Sequence, residues 1–199
     1  MKKIYFGAPL FSKSEQMFND FVANKIDELN KFKIYVPQRN EAINDKRNCA
    51  TAIQIYDGDT NELLTTDILI AVIDGLAIDP GLATEIGWFA REIELNPNSN
   101  KIILGLYTDC RDGTNVTIKE TLDQKAAMLN NNIAESQFSY VNLYSAGAIK
   151  KYGKLFKTVE ELIDFLKKYS FFCKKQIFIL FLCIIYTYSF FSRSMLFLL

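Results

Sequence analysis

The chain has 199 residues, 49% of them hydrophobic, with 23 Lys and Arg against 23 Asp and Glu and no histidine. That length supports one α/β domain with a real core rather than two; the apolar content excludes a disordered chain, and the balanced charge argues against a nucleic-acid binder. Without histidine, Ser-His-Asp and Cys-His catalysis and histidine-ligated zinc are excluded, so acid–base chemistry near neutral pH falls to carboxylates, Tyr, Lys or Cys.

In chain order, Lys3–Ala8 is a short β-rich run ending in Gly and Pro. Ser12-x-x-Glu15 is a capping box that opens a helix, with Met17, Phe18, Phe21, Val22, Ile26 and Leu29 at helical spacing on its expected buried face. Lys33–Val36 is a second strand, stopped by Pro37, and a polar loop follows from Gln38 to Asn48. Cys49 to Leu64 reads as helix despite Gly58. Asp67–Ile73 is a continuous apolar strand, as expected when both faces are covered. Asp79 then serves as N-cap and Pro80 as first residue of another helix. Lys101–Tyr107 is a fourth strand, Thr117 to Asn130 a helix, and Phe138–Leu143 a shorter fifth strand. Thr158-x-x-Glu161 caps a last helix to Tyr169. Strands separated by helices predict an α/β fold: a doubly wound, mostly parallel five-stranded sheet with helices on both faces, Rossmann-like or flavodoxin-like. Ligands of such sheets bind at the carboxyl ends of the strands.

Residues 1–170 are expected to form the folded domain. Residues 171–199 carry three basic residues and no acid, which leaves 20 basic against 23 acidic residues in the body. The run from Gln176 to Ser192 is nearly all apolar, at the lower limit for a membrane span of about 17–25 residues. It reads either as a C-terminal membrane anchor or as a hydrophobic extension foreign to the domain; the domain's completion before it favours the second. The four cysteines, Cys49, Cys110, Cys173 and Cys183, include no Cys-x-x-Cys pair, so no zinc knuckle or thioredoxin-like motif is present. The first residues hold too short an apolar run for a secretory signal. A cytoplasmic setting with reduced thiols is the expectation.

No Gly-x-Gly-x-x-Gly follows the first strand and there is no Walker A sequence, so dinucleotide and ATP readings lose their main support. Acidic residues concentrate instead near predicted strand ends: Asp59, Asp74, Asp79 and Glu85. Glu85 lies two turns into its helix with Gly81, Leu82, Trp88 and Phe89 one turn away, so its carboxylate emerges on an apolar, aromatic face and is partly desolvated. Each residue also has a plainer role open to it. A helix glutamate is most often solvated, Asp79 suits an N-cap, Asp59 and Asp74 suit turns, and Tyr5 suits the core.

Taken together, Ile4-Tyr5-Phe6-Gly7-Ala8, Ala50-Thr51-Ala52, Tyr56, Asp59, Thr66-Asp67-Ile68, Asp79-x-Gly81-x-x-x-Glu85-x-Gly87 and Asn142-Leu143 resemble the nucleoside 2-deoxyribosyltransferase family over residues 3–169. The resemblance implies that Glu85 is the nucleophile forming a covalent deoxyribosyl ester and that Tyr5 orients it. It implies that Asp59 and Asp79 contact the base and help protonate it, and that Asn142 reaches a neighbouring subunit's site in a homo-oligomer. It places Phe6, Gly7, Glu41, Gly81, Trp88 and Asn142 among the substrate-binding residues. The substrates implied are a deoxynucleoside and a free nucleobase, in nucleoside salvage, with neither cofactor nor metal and no nucleic-acid partner. A membrane partner follows only if the 171–199 tail is an anchor.

Two departures stand out. Glu41 occupies the place where some members carry a base-contacting Gln, leaving purine or pyrimidine preference open. The chain also runs well past the last helix, whereas members of the best-known branch end near the active site.

Elementary chemistry agrees with these roles. Breaking an N-glycosidic bond passes through an oxocarbenium-like state that needs an anion beneath C1′ and a proton for the departing base; two carboxyl groups supply both, with net retention when one becomes a covalent nucleophile. An apolar contact near Glu85 suits a sugar without a 2′-hydroxyl. Two other readings stay open: an N-glycoside hydrolase acting on 2′-deoxynucleosides or their 5′-phosphates, and a non-catalytic nucleotide-sensing domain tethered to membrane.

Overall fold

Five short runs pair side by side into one sheet: β1 (Lys2–Gly7), β2 (Phe32–Tyr35), β3 (Ile68–Val72), β4 (Ile102–Leu106) and β5 (Gly153–Phe156). The computed structural model describes residues 1–41, 49–75, 77–109 and 141–169. The strands lie in the order β2-β1-β3-β4-β5, every neighbouring pair parallel. Helices α1 (Lys13–Asp27), α2 (Ala52–Leu64), α3 (Pro80–Leu95) and α4 (Leu143–Tyr152) precede β2, β3, β4 and β5, and a further helix covers 159–169. This is the expected doubly wound α/β sheet, parallel throughout.

Alternation along the strands sends neighbouring side chains to opposite faces. Tyr5, Leu69, Ala71 and Ile103 pack in one buried cluster with Leu63 of α2, Leu82, Ile86, Phe89 and Ile93 of α3, and Ala146 and Ile149 of α4. Ile4, Phe6, Ile68, Ile70 and Leu104 are equally buried and face the other way. There the right-handed β1-α1-β2 crossover places α1, with Val22, Ala23 and Ile26 inward. All five residues of β3 are buried, the physical basis of its unbroken apolar run.

The caps are those expected from the sequence. The Ser12 hydroxyl accepts from the Glu15 amide, and the Glu15 carboxylate accepts from the Ser12 amide at 2.7 Å. Asp79 accepts from the Leu82 amide at 2.9 Å and Pro80 opens α3. Thr158 accepts from the Glu161 amide at 3.1 Å. Two compact units result, Met1–Leu162 and Ile163–Leu199; in the second, the described residues 163–169 continue the last helix, with Lys167 paired to Asp164 at 2.9 Å.

Several expectations need correction. Of the fifth strand expected at Phe138–Leu143, the described residues 141–143 are not extended, and the strand beside β4 is Gly153–Phe156. Asn142 caps α4 instead, its side-chain oxygen accepting from the Tyr144 and Ser145 amides at 3.0 and 3.2 Å, and Leu143 is helical. Met17 and Phe21 of α1 are exposed, while Asn19 takes a buried place on that helix. The second helix starts at Ala52 behind the Thr51 cap, since Cys49 has a positive φ of 46° that a helix does not accept. Residues 138–140, the helix expected over Thr117–Asn130 and the 171–199 tail lie outside the described residues. Among the described residues, no helix is long and apolar enough to cross a membrane.

β5 has an absolute steric requirement at its first residue. A Cβ on Gly153 would overlap the Ile103 carbonyl of β4. Gly153→Ala is therefore expected to part the edge strand from β4 and to cost about 3 kcal/mol, the upper end for overpacking a tight site. Urea unfolding measures this; an unchanged midpoint would mean that β5 slides without loss.

Candidate active site

The strand order reverses between β1 and β3, and the crevice beyond their carboxyl ends is where ligands of such sheets bind. One strand, two helices and the loops after β1 and β2 line it. β1 presents Tyr5 and Gly7 on the face covered by α2 and α3. The Asp79 cap starts α3 at this edge, and Glu85 follows one and a half turns later. Asp59 comes from α2. Two hollows of about 260 and 250 Å³ open there, and both are lined by Asp59, Gly81 and Glu85. The first adds Gly7, Ala8, Leu10, Phe11, Pro37, Ile55, Asp79 and Leu82. The second adds Tyr56, Thr60, Leu63, Thr84 and Trp88.

The Tyr5 hydroxyl donates to Glu85 Oε1 at 2.8 Å. Gly7 leaves room for this approach: a Cβ there would stand 2.6 Å from Leu82 Cδ1 and 3.2 Å from Glu85 Oε2, so both side chains would have to shift. Burial pushes the Glu85 carboxyl up to about 7, and the charges of Asp59 and Asp79 add to this, while the Tyr5 hydrogen bond opposes it. Tyr5 is fully buried, and its burial and the nearby Glu85 and Asp59 charges hold its hydroxyl protonated far above the ordinary phenol range. At neutral pH the pair is thus a neutral donor against a carboxyl poised near its midpoint. Asp59 is also raised, chiefly by burial, with the Tyr35 and Tyr5 hydroxyls pulling the other way.

The loops around the crevice are pinned to α1. Buried Asn19 donates to the Pro9 carbonyl at 2.8 Å and to Gln38 Oε1 at 2.9 Å, and Gln38 donates to the Gln16 carbonyl. Arg39 reaches Asp20, Asp27 and Asn24. These bonds hold the chain after β1 and after β2 against one helix, which fixes the crevice wall on that side.

Of the residues singled out from sequence, the structure brings together Tyr5, Gly7, Asp59, Asp79, Gly81, Glu85 and Trp88. Phe6 is buried on the opposite face of the sheet and cannot touch a ligand in this crevice. Glu41 is exposed beside the Pro37–Arg39 turn and lines neither hollow. Asn142 is exposed and also lines neither. Asp74 accepts from the Thr108 hydroxyl at 2.6 Å and joins the ends of β3 and β4. Sequence reasoning missed Tyr35. A signal was there: Lys3-Ile4-Tyr5 and Lys33-Ile34-Tyr35 are the same triplet on two strands, and they pair in register. Among the described residues no group of three or more His, Cys, Asp or Glu is arranged to hold a metal ion.

A family model described as nucleoside 2-deoxyribosyltransferase matches residues 4–130. The chain belongs to the nucleoside 2-deoxyribosyltransferase family. A conserved protein of known crystal structure from Enterococcus faecalis V583 is 36% identical over 84% of this chain and 98% of its own, with a TM-score of 0.65. A 2-desoxiribosyltransferase from Leishmania mexicana is 20% identical over 84% of this chain and 98% of its own, with a TM-score of 0.52, a likeness of fold. No curated protein matches the sequence. Tyr5, Asp59, Asp79 and Glu85 all fall inside the stretch shared with the nucleoside 2-deoxyribosyltransferase family, and Asn142 falls beyond it.

Proposed function

We propose that the protein moves 2-deoxyribose between nucleobases through a covalent ester on Glu85, with net retention at C1′, in nucleoside salvage. The observation that carries this reading is the Glu85 carboxylate held by the Tyr5 hydroxyl at 2.8 Å in a crevice shared with Asp59 and Asp79.

In the first half, an ionised Glu85 oxygen attacks C1′ and the glycosidic C–N bond breaks. The departing base takes the bonding pair and a proton from Asp59 or Asp79. In the second half, an incoming base attacks C1′, the ester bond breaks, and the acid recovers a proton from that base. Tyr5 stays neutral and gives its hydrogen bond to Glu85, to the carboxylate before attack and to the ester's free oxygen afterwards. Gly81 and Trp88 provide the apolar and aromatic surroundings.

Among the described residues, the ionisable ones lining the first hollow are Asp59, Asp79 and Glu85. That charge favours an uncharged nucleoside over a 5′-phosphate. Ser12, in the segment after β1, is engaged as the α1 cap. The same reading gives the protein a homo-oligomeric form in which Asn142 serves a neighbouring subunit, consistent with its exposure outside both hollows.

A slow 2-fluoro-2-deoxyriboside tests the covalent step. Mass mapping should find one added sugar on the peptide containing Glu85. A label on another carboxylate would overturn the assignment.

A further inference from the structure

We infer that Tyr35, itself fixed by Asn40, is a positioning residue for Asp59, so that β1 and β2 supply a matched pair of hydroxyl donors, one for each of the two carboxylates Glu85 and Asp59. The inference rests on the proposed function only for the part Asp59 plays in the reaction.

Tyr5 and Tyr35 stand opposite one another in the parallel β1–β2 register. Their ring centroids are 5.3 Å apart at a tilt of 39°, so each ring holds the other's direction. The Tyr5 hydroxyl donates to Glu85, and the Tyr35 hydroxyl donates to Asp59 Oδ1 at 3.3 Å. A tyrosine hydroxyl has a single proton to give. Asn40 Nδ2 donates to the Tyr35 oxygen at 2.9 Å. That bond occupies an acceptor position and directs the Tyr35 proton toward Asp59. Asn40 in turn follows the Pro37–Arg39 turn, which Gln38 and Arg39 tie to α1. A chain of contacts thus runs from α1 through Asn40 and Tyr35 to Asp59.

The groups facing Asp59 are Tyr5 and Tyr35 from the sheet, Glu62 from its own helix and Glu85 from α3. Burial and the Glu62 charge favour the protonated acid; the Tyr35 hydroxyl favours the anion. Tyr35 itself is pushed up to about 12, mainly by burial, and so remains a donor across the working range. Losing its hydroxyl should leave the ring packed on Tyr5 and let the Asp59 carboxyl titrate at higher pH.

The test follows the side-chain carboxyl ¹³C resonances of Asp59 and Glu85 against pH in the full chain, as wild type, Tyr35→Phe and Asn40→Ala, beside base-exchange rates. The Asp59 midpoint should rise in Tyr35→Phe and rise less in Asn40→Ala, with Glu85 moving less than Asp59 in both. In exchange, Tyr35→Phe should lower kcat about tenfold, the size of one lost hydrogen bond to a charged group, with KM little changed. Asn40→Ala leaves the ring untouched and reads the same carboxyl if Tyr35→Phe folds poorly. An Asp59 midpoint that moves in neither variant overturns the inference, even if the wild type exchanges bases. A midpoint that moves in a protein that transfers no deoxyribose leaves Tyr35 in its role and removes the proposed function instead.

Discussion

Glu85→Ala is expected to lower base-exchange turnover by about 10⁴-fold or more, the scale seen when a covalent nucleophile is removed. The residual rate comes from binding and from the remaining acids, which cannot form the glycosyl ester. Folding should survive. Among the described residues, no backbone amide donates to Glu85, and its removal also relieves repulsion from Asp59 and Asp79. Asp79→Asn makes the informative contrast. The asparagine oxygen can still accept from the Leu82 amide, so the α3 cap is kept while the ionisable acid is lost. A proton-transfer role predicts a fall of about 10²–10⁴-fold, smaller than that of Glu85→Ala. Steady-state rates on one deoxynucleoside and one acceptor base rank the two variants. A Glu85→Ala protein keeping more than a hundredth of wild-type turnover would deny Glu85 the nucleophile's role.

Glu85→Gln is expected to stabilise the protein, and only above mildly acidic pH. An unfolded glutamate titrates near 4.5, whereas in the crevice Glu85 titrates at about 7. The folded state therefore binds the proton more tightly. Its advantage is full below pH 4.5, and it is lost as pH rises from 4.5 through 7. Once Glu85 is charged, the folded state bears a cost of about 3 kcal/mol, from 1.36 kcal/mol per pKa unit. Glutamine keeps the shape and never ionises, so the variant escapes that cost. Urea unfolding should give nearly equal stabilities at pH 4.5 and a clear excess for Glu85→Gln at pH 8. A difference that does not grow with pH would contradict a desolvated Glu85. This is the pattern of an active site that gives up stability to keep a reactive carboxylate out of water.

Local chemistry made much of the fold legible. Ser12 with Glu15, and Asp79 with Pro80, are capping signals whose hydrogen bonds lie within three residues, so the sequence carries them without help from distant contacts. β3 was equally plain, because a strand covered on both faces has no reason to alternate. Glu85 was legible through its neighbours: Leu82 and Phe89 are buried on the same side of α3, and a carboxylate between them must lose water.

The misreadings have physical causes. Gly-Lys-Leu-Phe at 153–156 is a four-residue edge strand with only Phe156 buried, too short to show a period. Asn142 suits a turn or a cap equally well, and its cap role depends on the helix after it. Phe21 follows the helical spacing of Val22 and Ile26 yet stays half exposed under Lys25, whose ammonium lies 4.9 Å from its ring centre. Phe6 lies one residue from Tyr5 in a shared motif, and strand alternation alone sends it to the other face. Tyr35 donates to Asp59, a partner 24 positions away; the repeated Lys-Ile-Tyr triplet marks the two strands as similar but does not announce that contact.

The most direct measurement incubates the wild-type protein with deoxyinosine, with and without free adenine, and separates the products by chromatography. Transfer through Glu85 predicts deoxyadenosine and hypoxanthine in equal amounts when adenine is present, and little deoxyribose. Free deoxyribose released at the same rate with and without adenine, and no deoxyadenosine, would contradict it and assign the crevice to hydrolysis.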